Sequence, residues 1–398
     1  MKEPVITAVR GVKAAAVHCG LKSKKRDLAL LHSEKDCVAA GVFTRNRVQA
    51  APVKLCRDRI TSPVRALVVN SGNANACTGE EGMQKARRMA ELTALSLDIF
   101  PEQVMVCSTG VIGKQLPLKK LEKGIVNAAA ALSGEAKSAR QAARAILTTD
   151  TVAKQVAYRG SFGGVTFHLA GMAKGSGMIC PDMATMLAFL FTDLTISRPL
   201  LQQLFKEAVD RTFNLITIDG DTSTNDTALL LANGAAGAAE ITAGSPPCLD
   251  FARLLEEACR DLAYQIVADG EGVTKVITLL LQGAPDPLSA RLLARAVLNS
   301  PLVKTAFYGE DANWGRILAA LGYAGVDFDP SGVDIYLGPL QVAAKGEAVP
   351  FRESEARLIL KQKEIPILID LNAGSYSLTA WGSDLSHNYI TINSNYRT

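Results

Sequence analysis

The chain has 398 residues and a formal net charge of +4, so it lacks the strongly basic balance that is typical of nucleic-acid binders. Its strongest basic cluster, at 22–26, is too short to change this. Hydrophobic residues make up 48% and charged residues 21%, which excludes a mainly disordered chain. No apolar stretch reaches the roughly 18 residues of a membrane-spanning helix. We therefore expect no nucleic-acid partner and no membrane partner.

The cysteine pattern and the N-terminus favour a cytoplasmic protein. None of the eight cysteines forms a C-x-x-C pair, and the four histidines are widely scattered, so paired ligands for a structural zinc ion are missing. Glu3, Arg10 and Lys13 interrupt the apolar region that a secretory signal requires. We expect free thiols in a reducing compartment, no metal and no resident cofactor.

Helix and strand patterns intermix along the chain. Short β-branched runs between turn residues predict strands, and apolar residues at three- and four-residue spacing predict helices. In chain order, the predicted elements are strand 66–69, helix 83–97, strand 104–107, helix 118–132, strands 165–170 and 186–191, helix 199–213, strand 228–231, helix 251–268, strand 276–281, helix 288–298, and strands 365–369 and 389–392. This mixture predicts an α/β or α+β fold.

Polar, glycine-rich turns adjoin several of these strands, at 70–75, 108–110, 174–177, 219–222 and 269–272. As a set, such turns suit a site that is assembled from many loops on a rigid scaffold as well as they suit ordinary surface turns, whereas any single one of them is better explained as a surface turn. The turn at 174–177 has neither P-loop order nor the G-x-S-x-G pattern. A nucleotide site and a serine triad are therefore not favoured.

The segment at 174–193 is the most informative part of the sequence. An irregular loop ends at Ala184, and Thr185 then precedes an apolar strand. If the bond before Thr185 were cut, the freed α-amino group, with a pKa near 7.7–8.0, would supply a base beside the hydroxyl nucleophile. On spacing alone, an ordinary threonine at the start of a strand remains the simpler interpretation.

The run KGSGMICPDMATMLAFLFTD at 174–193 resembles the self-cleavage segment of the ornithine acetyltransferase family, also called the glutamate N-acetyltransferase family of arginine biosynthesis. Seven further blocks resemble the family in its order: NSGNANACTG at 70–79, CSTGVIGKQLP at 107–117, LTTDT at 147–151, IDGDTSTNDT at 218–227, DGEGVTK at 269–275, GEDANWGRI at 309–317 and the terminal NYITINSNYRT. The resemblance covers essentially the whole chain.

The resemblance implies a self-cleaving enzyme with an N-terminal threonine nucleophile. Cleavage between Ala184 and Thr185 would give an α chain of 1–184 and a β chain of 185–398, which the family assembles as α2β2 heterotetramers. Thr185 would accept acetyl from N-acetylornithine and pass it to glutamate by ping-pong transfer. The implied fold is a layered αββα-like arrangement that resembles N-terminal-nucleophile hydrolases but has its own connectivity, with a smaller C-terminal lobe from about 288.

The resemblance also assigns roles to individual residues. Thr109 and Gly110 would form the oxyanion hole, where a hydroxyl and a backbone N–H stabilise the tetrahedral intermediate. The implied substrate-binding residues are Thr148, Lys174, Thr185, Glu271, Asn393 and Thr398. An offset of one residue leaves Thr149 as the alternative to Thr148. The sequence leaves open whether acetyl-CoA serves as a second donor, which would make the enzyme multifunctional.

The sequence departs from the family pattern at two positions before the bond between Ala184 and Thr185. The family pattern leads us to expect Ala more often than Cys180, and Asn more often than Asp182. They put the rate of self-cleavage in doubt more than the function.

Two alternative functions remain. A self-processing aminopeptidase or amidase would use water as acceptor in place of glutamate, and an uncleaved amino-acid-binding protein would keep the bond between Ala184 and Thr185 intact.

Overall fold

The computed structural model describes residues 4–180 and 186–395. The strands are β1 (Val12–Val17), β2 (Leu28–Phe43), β3 (Val64–Asn73), β4 (Val104–Val111), β5 (Lys154–Phe162), β6 (Val165–Lys174), β7 (Leu187–Thr192), β8 (Thr227–Ala232), β9 (Val276–Ala284), β10 (Asp334–Leu337), β11 (Leu340–Ala344), β12 (Glu347–Ala348), β13 (Glu364–Asp370) and β14 (Tyr376–Ser383). The helices are α1 (Ala51–Arg59), α2 (Gly79–Leu97), α3 (Leu118–Ala130), α4 (Ala136–Ala145), α5 (Arg198–Arg211), α6 (Pro246–Ala268), α7 (Pro287–Asn299), α8 (Pro301–Tyr308), α9 (Trp314–Gly322), α10 (Glu353–Leu360) and α11 (His387–Asn395).

The larger sheet has eight strands among the described residues, in the order β4-β3-β2-β8-β7-β6-β5 with β1 on β2. The long strand β2 joins its two halves. Near Leu28 this strand pairs with β1 and β3, whereas from Val38 to Phe43 it pairs with β8. Side chains of both halves, such as Leu67 of β3 and Phe189 of β7, meet in one buried core. The two halves therefore pack face to face.

Helices cover the outer face of each half. On the β3–β4 half, α1, α2 and α3 pack around Met89 and Val106, and on the β6–β8 half, α5 and α6 pack around Phe205 and Leu230. The order of layers is therefore helix, sheet, sheet, helix, which confirms the predicted αββα arrangement. Strands β7 and β8 are buried at every position and nearly continuously apolar, as a sheet covered on both faces requires.

A third core lies in the C-terminal part of the chain. Its six-stranded sheet has the order β12-β11-β10-β13-β9-β14, and α7, α8, α9 and α10 pack against it. The parallel pair of β9 and β13 is central to this sheet. Because β9 begins at Val276, this lobe starts ahead of the expected position near 288, which falls inside α7.

The predicted strand at 389–392 is wrong, because these residues belong to α11. Ile390 and Ile392 are exposed, so their β-branched side chains are not buried in a sheet. Local bonds favour the helix: the Thr391 hydroxyl donates to His387 O at 3.1 Å, and Asn393 Nδ2 donates to Tyr389 O at 3.0 Å. Among the described residues, no helix is long and apolar enough to cross a bilayer.

Candidate active site

Thr109 and Gly110 lie at the end of β4, beside the end of β3. In this parallel pair Thr109 is in register with Ser71 and Gly110 with Gly72. Gly110 has a φ of +131°, and a Cβ at this position would lie 2.4 Å from the carbonyl carbon of Gly72. Only glycine permits this backbone conformation and this close approach. The two strand ends are thereby held together at the point where the oxyanion donors were predicted.

Buried amide and hydroxyl groups support this strand end. Asn225 Nδ2 donates to the carbonyl oxygens of Ala74 at 2.6 Å and Ser108 at 2.8 Å. The Ser108 hydroxyl donates to Asn70 Oδ1 at 2.6 Å. Asn225, Ser108 and Asn70 are all buried, so these neutral bonds fix the peptide group that precedes Thr109. Asn225 was not among the predicted site residues, although it lies in the block at 218–227.

Lys174 is the last residue of β6. The next strand, β7, begins beside it, because Leu187 pairs with Lys174 in the antiparallel sheet. The connection between them carries the predicted junction of Ala184 and Thr185, which lies outside the described residues. On its far side Met186 is buried, and its carbonyl oxygen accepts the Thr227 N–H at 3.1 Å. Both flanks of the connection are therefore fixed by the sheet.

A buried ionic cluster adjoins Lys174. Its ammonium donates to Thr148 Oγ1 at 2.7 Å and lies 3.5 Å from Asp150 Oδ2. Lys154 Nζ, with its side chain 1% exposed, lies 2.6 Å from Asp150 Oδ1 and 2.5 Å from Asp269 Oδ2. Burial by itself raises the pKa of Asp150, but the ammonium groups of Lys174 and Lys154 hold that pKa well below its ordinary value. Asp150 is therefore ionised.

Glu271 lies in the turn that follows α6. Its backbone N–H donates to Ser176 O at 2.9 Å, and its carboxylate accepts Asn393 Nδ2 of α11 at 2.8 Å. Gly177 makes room for this carboxylate, because a Cβ on Gly177 would lie 2.3 Å from Glu271 Oε2. Although Asn393 is exposed, Glu271 is 8% exposed. The turn after α6, the loop after β6 and the last helix thus converge on one acid.

These elements enclose a pocket of about 120 Å3. The predicted site residues that line it are Thr109, Gly110, Thr148, Lys174, Glu271 and Asn393. Thr149 lines it too, so both members of the Thr148/Thr149 pair reach the pocket. Ala184, Thr185 and Thr398 lie outside the described residues. Every predicted site residue that the structure describes is therefore at the same pocket.

Asp219 also lies close to the site, although it was not among the predicted site residues and was noted only as part of the turn at 219–222. Its carboxylate accepts the backbone N–H groups of Met178 at 2.5 Å and Ile179 at 2.8 Å, and the Tyr389 hydroxyl at 3.3 Å. Burial raises the pKa of Asp219, although the two backbone donors favour its charged form. Asp219 therefore anchors the loop just ahead of the predicted junction.

Comparisons with known proteins agree with one another. A model of the ArgJ family matches residues 13–398. The "Arginine biosynthesis bifunctional protein ArgJ" of Symbiobacterium thermophilum is 51% identical over 99% of this chain and 98% of its own length. The protein of the same name from Caldanaerobacter subterraneus is 49% identical over 98% and 97%. The crystal structure of arginine biosynthesis bifunctional protein argJ from Bacillus halodurans is 41% identical, with a TM-score of 0.52, and covers 53% of this chain and 100% of the solved chain.

Proposed function

The chain belongs to the ArgJ family, and we propose that it moves an acetyl group from N-acetylornithine to glutamate in the arginine pathway. The chain is therefore an acyltransferase of amino-acid biosynthesis that acts on small molecules. The observation that carries the proposal is the single pocket shared by Thr109, Gly110, Lys174 and Glu271. It combines donors for an oxyanion with one cation and one anion, which is what acyl transfer between amino acids needs.

In this proposal the Thr185 hydroxyl attacks the acetyl carbonyl of N-acetylornithine. The oxyanion that forms accepts hydrogen bonds from the Thr109 hydroxyl and the Gly110 N–H. Collapse of the intermediate releases ornithine and leaves acetyl on Thr185, and the amine of glutamate then takes the acetyl group by the reverse steps. The α-amino group of Thr185 serves as the base, since its ordinary pKa of about 7.7–8.0 suits proton transfer near neutral pH.

Two opposite charges orient the amino-acid substrates. Lys174 offers its ammonium to a substrate carboxylate, and Glu271 offers its carboxylate to the ammonium of ornithine. Burying a charged amino acid is costly unless each charge is matched, and both residues, Lys174 and Glu271, are at most 8% exposed. Asn393 and Thr398 add hydrogen bonds at the amino-acid end of the substrate. The volume of about 120 Å3 suits a ligand of this size.

We further propose that the chain cuts itself between Ala184 and Thr185 and assembles as an α2β2 heterotetramer in the cytoplasm. The anchoring of Met178 and Ile179 by Asp219 supports the cleavage, because it restrains the chain just before the bond between Ala184 and Thr185. The length of the solved ArgJ chain from Bacillus halodurans also supports the cleavage. Its whole length is matched by 53% of this chain, and residues 185–398 make up just over half of this chain.

The test combines denaturing mass spectrometry with an acetyl-exchange assay. Wild type is expected to give two chains, one beginning at Thr185, and to transfer acetyl from N-acetylornithine to glutamate. Thr185→Ala is expected to stay a single chain and to be inactive, whereas Thr185→Ser keeps a hydroxyl and is expected to be cut. A cut and active Thr185→Ala variant would refute the mechanism. Acetate release without acetylglutamate would instead indicate an amidase, which uses water as the acceptor.

A further inference from the structure

Lys154 is a buried cation to which the acetyl transfer proposed above gives no role. It is the first residue of β5, it is 1% exposed, and it does not line the pocket of about 120 Å3. Its ammonium lies 2.6 Å from Asp150 Oδ1 and 2.5 Å from Asp269 Oδ2. A buried ammonium is costly unless carboxylates compensate it. The effect of Lys154 is therefore exerted on these two acids.

Asp150 contacts two buried lysines, but at different distances. Its Oδ1 accepts hydrogen bonds from Lys154 Nζ and the Gly175 N–H, each at 2.6 Å. Its Oδ2 accepts the Thr148 N–H at 3.0 Å and lies 3.5 Å from Lys174 Nζ. Because Coulomb attraction falls with distance, Lys154 compensates the charge of Asp150 more strongly than Lys174 does.

The charges of this cluster balance only while Lys154 is present. Asp150 and Asp269 supply two negative charges, and Lys154 and Lys174 supply two positive ones. These side chains are at most 9% exposed, so water screens their charges weakly. Without Lys154, one negative charge would be in excess. Asp150 would then hold the Lys174 ammonium, and the excess charge would repel a substrate carboxylate.

Lys174 binds a substrate carboxylate only if part of its ammonium is available. An ammonium has three N–H donors. In Lys174 one of them donates to Thr148 Oγ1 at 2.7 Å, and the group lies 3.5 Å from Asp150 Oδ2, while the residue lines the pocket. Since Lys154 already compensates Asp150, the charge of Lys174 and one of its donors remain for a ligand.

The same lysine connects the cation of the pocket to its anion. Lys154 contacts Asp269, whose carbonyl oxygen accepts the Ser176 hydroxyl at 2.7 Å. The Ser176 carbonyl oxygen in turn accepts the Glu271 N–H at 2.9 Å. Ser176 is buried and lies two residues after Lys174. The segments that carry Lys174 and Glu271 are therefore held on either side of one buried ammonium.

We propose that Lys154 is a positioning residue for recognition of the substrate carboxylate: it compensates Asp150 and so leaves the Lys174 ammonium available to the carboxylate of N-acetylornithine. This inference rests on the acetyl transfer proposed above. Lys154 acts through Asp150 and Lys174, because it does not itself line the pocket. The role depends on the charge of Lys154 and on the charge of the substrate, which distinguishes it from a role in folding.

The test compares two donors in Lys154→Met: N-acetylornithine and N-acetylornithinamide, in which a neutral carboxamide replaces the carboxylate. KM for N-acetylornithine is expected to rise about tenfold, because its charge-assisted contact with Lys174 is weakened. KM for the amide is expected to stay within about twofold of wild type, and kcat is expected to change little for both donors. Equal increases of KM for both donors would indicate a structural role only and would overturn the proposal.

The matched control is Lys275→Met. It removes another buried lysine, whose ammonium donates to Leu360 O and lies 3.6 Å from Glu310 in the C-terminal lobe. Lys275 does not line the pocket, so KM for both donors is expected to stay within about twofold of wild type. An increase of KM for N-acetylornithine alone in this control, as large as that in Lys154→Met, would overturn the proposal.

The double variant Lys154→Met/Asp150→Asn provides the rescue. It removes the buried ammonium together with the carboxylate that would otherwise hold Lys174, and replacing both members of a buried ion pair is tolerated better than breaking the pair. Its KM for N-acetylornithine is expected to return to within about threefold of wild type, although Lys154→Met alone raises it. A KM that is as high as in Lys154→Met, or higher, would overturn the proposal.

Calorimetry separates this inference from the acetyl transfer itself, because ornithine and ornithinamide carry no acetyl group. Wild type and the double variant are expected to bind ornithine at least fivefold more tightly than ornithinamide, and Lys154→Met is expected to lose most of this preference. If Lys154→Met does not fold, the double variant still decides: a lost preference would overturn the proposal. A wild type that shows the preference but no acetyl exchange would count against the proposed function, and the affinities of the variants would still test Lys154.

Discussion

The pocket of about 120 Å3 that Thr109, Lys174 and Glu271 line has two walls of opposite character. The neutral wall, formed by Thr109 and Gly110 with Asn225 behind them, is held by bonds between amides, hydroxyls and backbone carbonyls. The charged wall, formed by Lys174 and Glu271, is held by buried ion pairs and charge-assisted bonds. In the proposed mechanism, charge develops during the reaction at the neutral wall, whereas the substrates bring their charges to the charged wall. The proposal thus assigns stabilisation of the transition state to one wall and recognition of the substrates to the other.

The two walls also differ in whether their structure depends on ionised side chains. None of the hydrogen-bonding groups named for the neutral wall titrates, so its geometry does not change with pH. The charged wall depends on Asp150, whose low pKa is set by Lys174 and Lys154. Substitutions in the charged wall are therefore expected to affect folding or KM, and substitutions in the neutral wall are expected to affect kcat.

The largest expected effect is on stability, in Asp150→Asn. Removing one partner from a buried ion pair typically costs about 3–5 kcal/mol, because the remaining charge is buried without compensation. Here Lys174 would keep no ion pair among the described residues, and Lys154 would keep only Asp269. Urea unfolding at neutral pH measures the loss. Asp36→Asn is the control, because its exposed ion pair with Arg65 contributes at most about 1 kcal/mol.

The same variant has a defined pH dependence. The pKa of Asp150 is lower in the folded chain than its unfolded value of about 3.9, so its contribution to stability is fully present above that value. The contribution is lost as the pH falls through the lower pKa of the folded state. The difference in unfolding free energy between wild type and Asp150→Asn is therefore expected to be constant from about pH 5 to 8 and to shrink below about pH 4. A constant difference at all pH values would show that Asp150 does not act through its charge.

At the neutral wall, Thr109→Ala is expected to lower kcat by about 100- to 1,000-fold, or about 2.7–4 kcal/mol, because one oxyanion donor is lost. KM for N-acetylornithine is expected to change little, since the donor acts on the transition state. Thr109→Ser keeps the hydroxyl and is expected to restore most of the rate. Unchanged turnover in Thr109→Ala would remove this residue from the oxyanion hole.

Much of the site could be predicted because its residues occur in compact blocks. Thr109 and Gly110 belong to one block and Lys174 to another, so recognition of the blocks sufficed to place them. The partners behind them could not be predicted in this way. Lys154 and Asp269 are 115 residues apart and meet only because β5 passes the end of α6. Nothing in the sequence around Lys154, at the start of β5, indicates that this lysine is 1% exposed and paired with two acids.

In the fold, too, local sequence predicts some features, whereas others depend on contacts between distant parts of the chain. The strands at 104–107 and 186–191 were predicted within a few residues, because β-branched runs between turns are a local property. The bend of β2, which creates the two facing halves of the sheet, depends on pairing with β3 at one end and β8 at the other. The error at 389–392 has the opposite cause, because side-chain bonds within four residues outweighed the strand propensity of Ile390 and Ile392.

At the charged wall, Gly177→Ala would place a Cβ 2.3 Å from Glu271 Oε2, so the carboxylate must move. The expected result is a KM for N-acetylornithine that is about tenfold higher, equivalent to about 1.4 kcal/mol, with kcat nearly unchanged. Glu271→Gln is expected to give a similar increase by removing the charge. Gly134→Ala is the control, because its Cβ would meet no atom within 4 Å. Wild-type kinetics in both Gly177→Ala and Glu271→Gln would show that Glu271 does not contribute to substrate binding.

The smallest expected effect is that of Asn393→Ala. Asn393 is exposed, and its amide donates one hydrogen bond to Glu271, so its loss is expected to raise KM for N-acetylornithine only severalfold and to leave the unfolding midpoint unchanged. If Asn393 acts by orienting Glu271, the substitution should add little to KM in the Glu271→Gln background. Fully additive effects in the double variant would instead mean that Asn393 contacts the substrate independently of Glu271, and steady-state kinetics of the four proteins distinguishes the two cases.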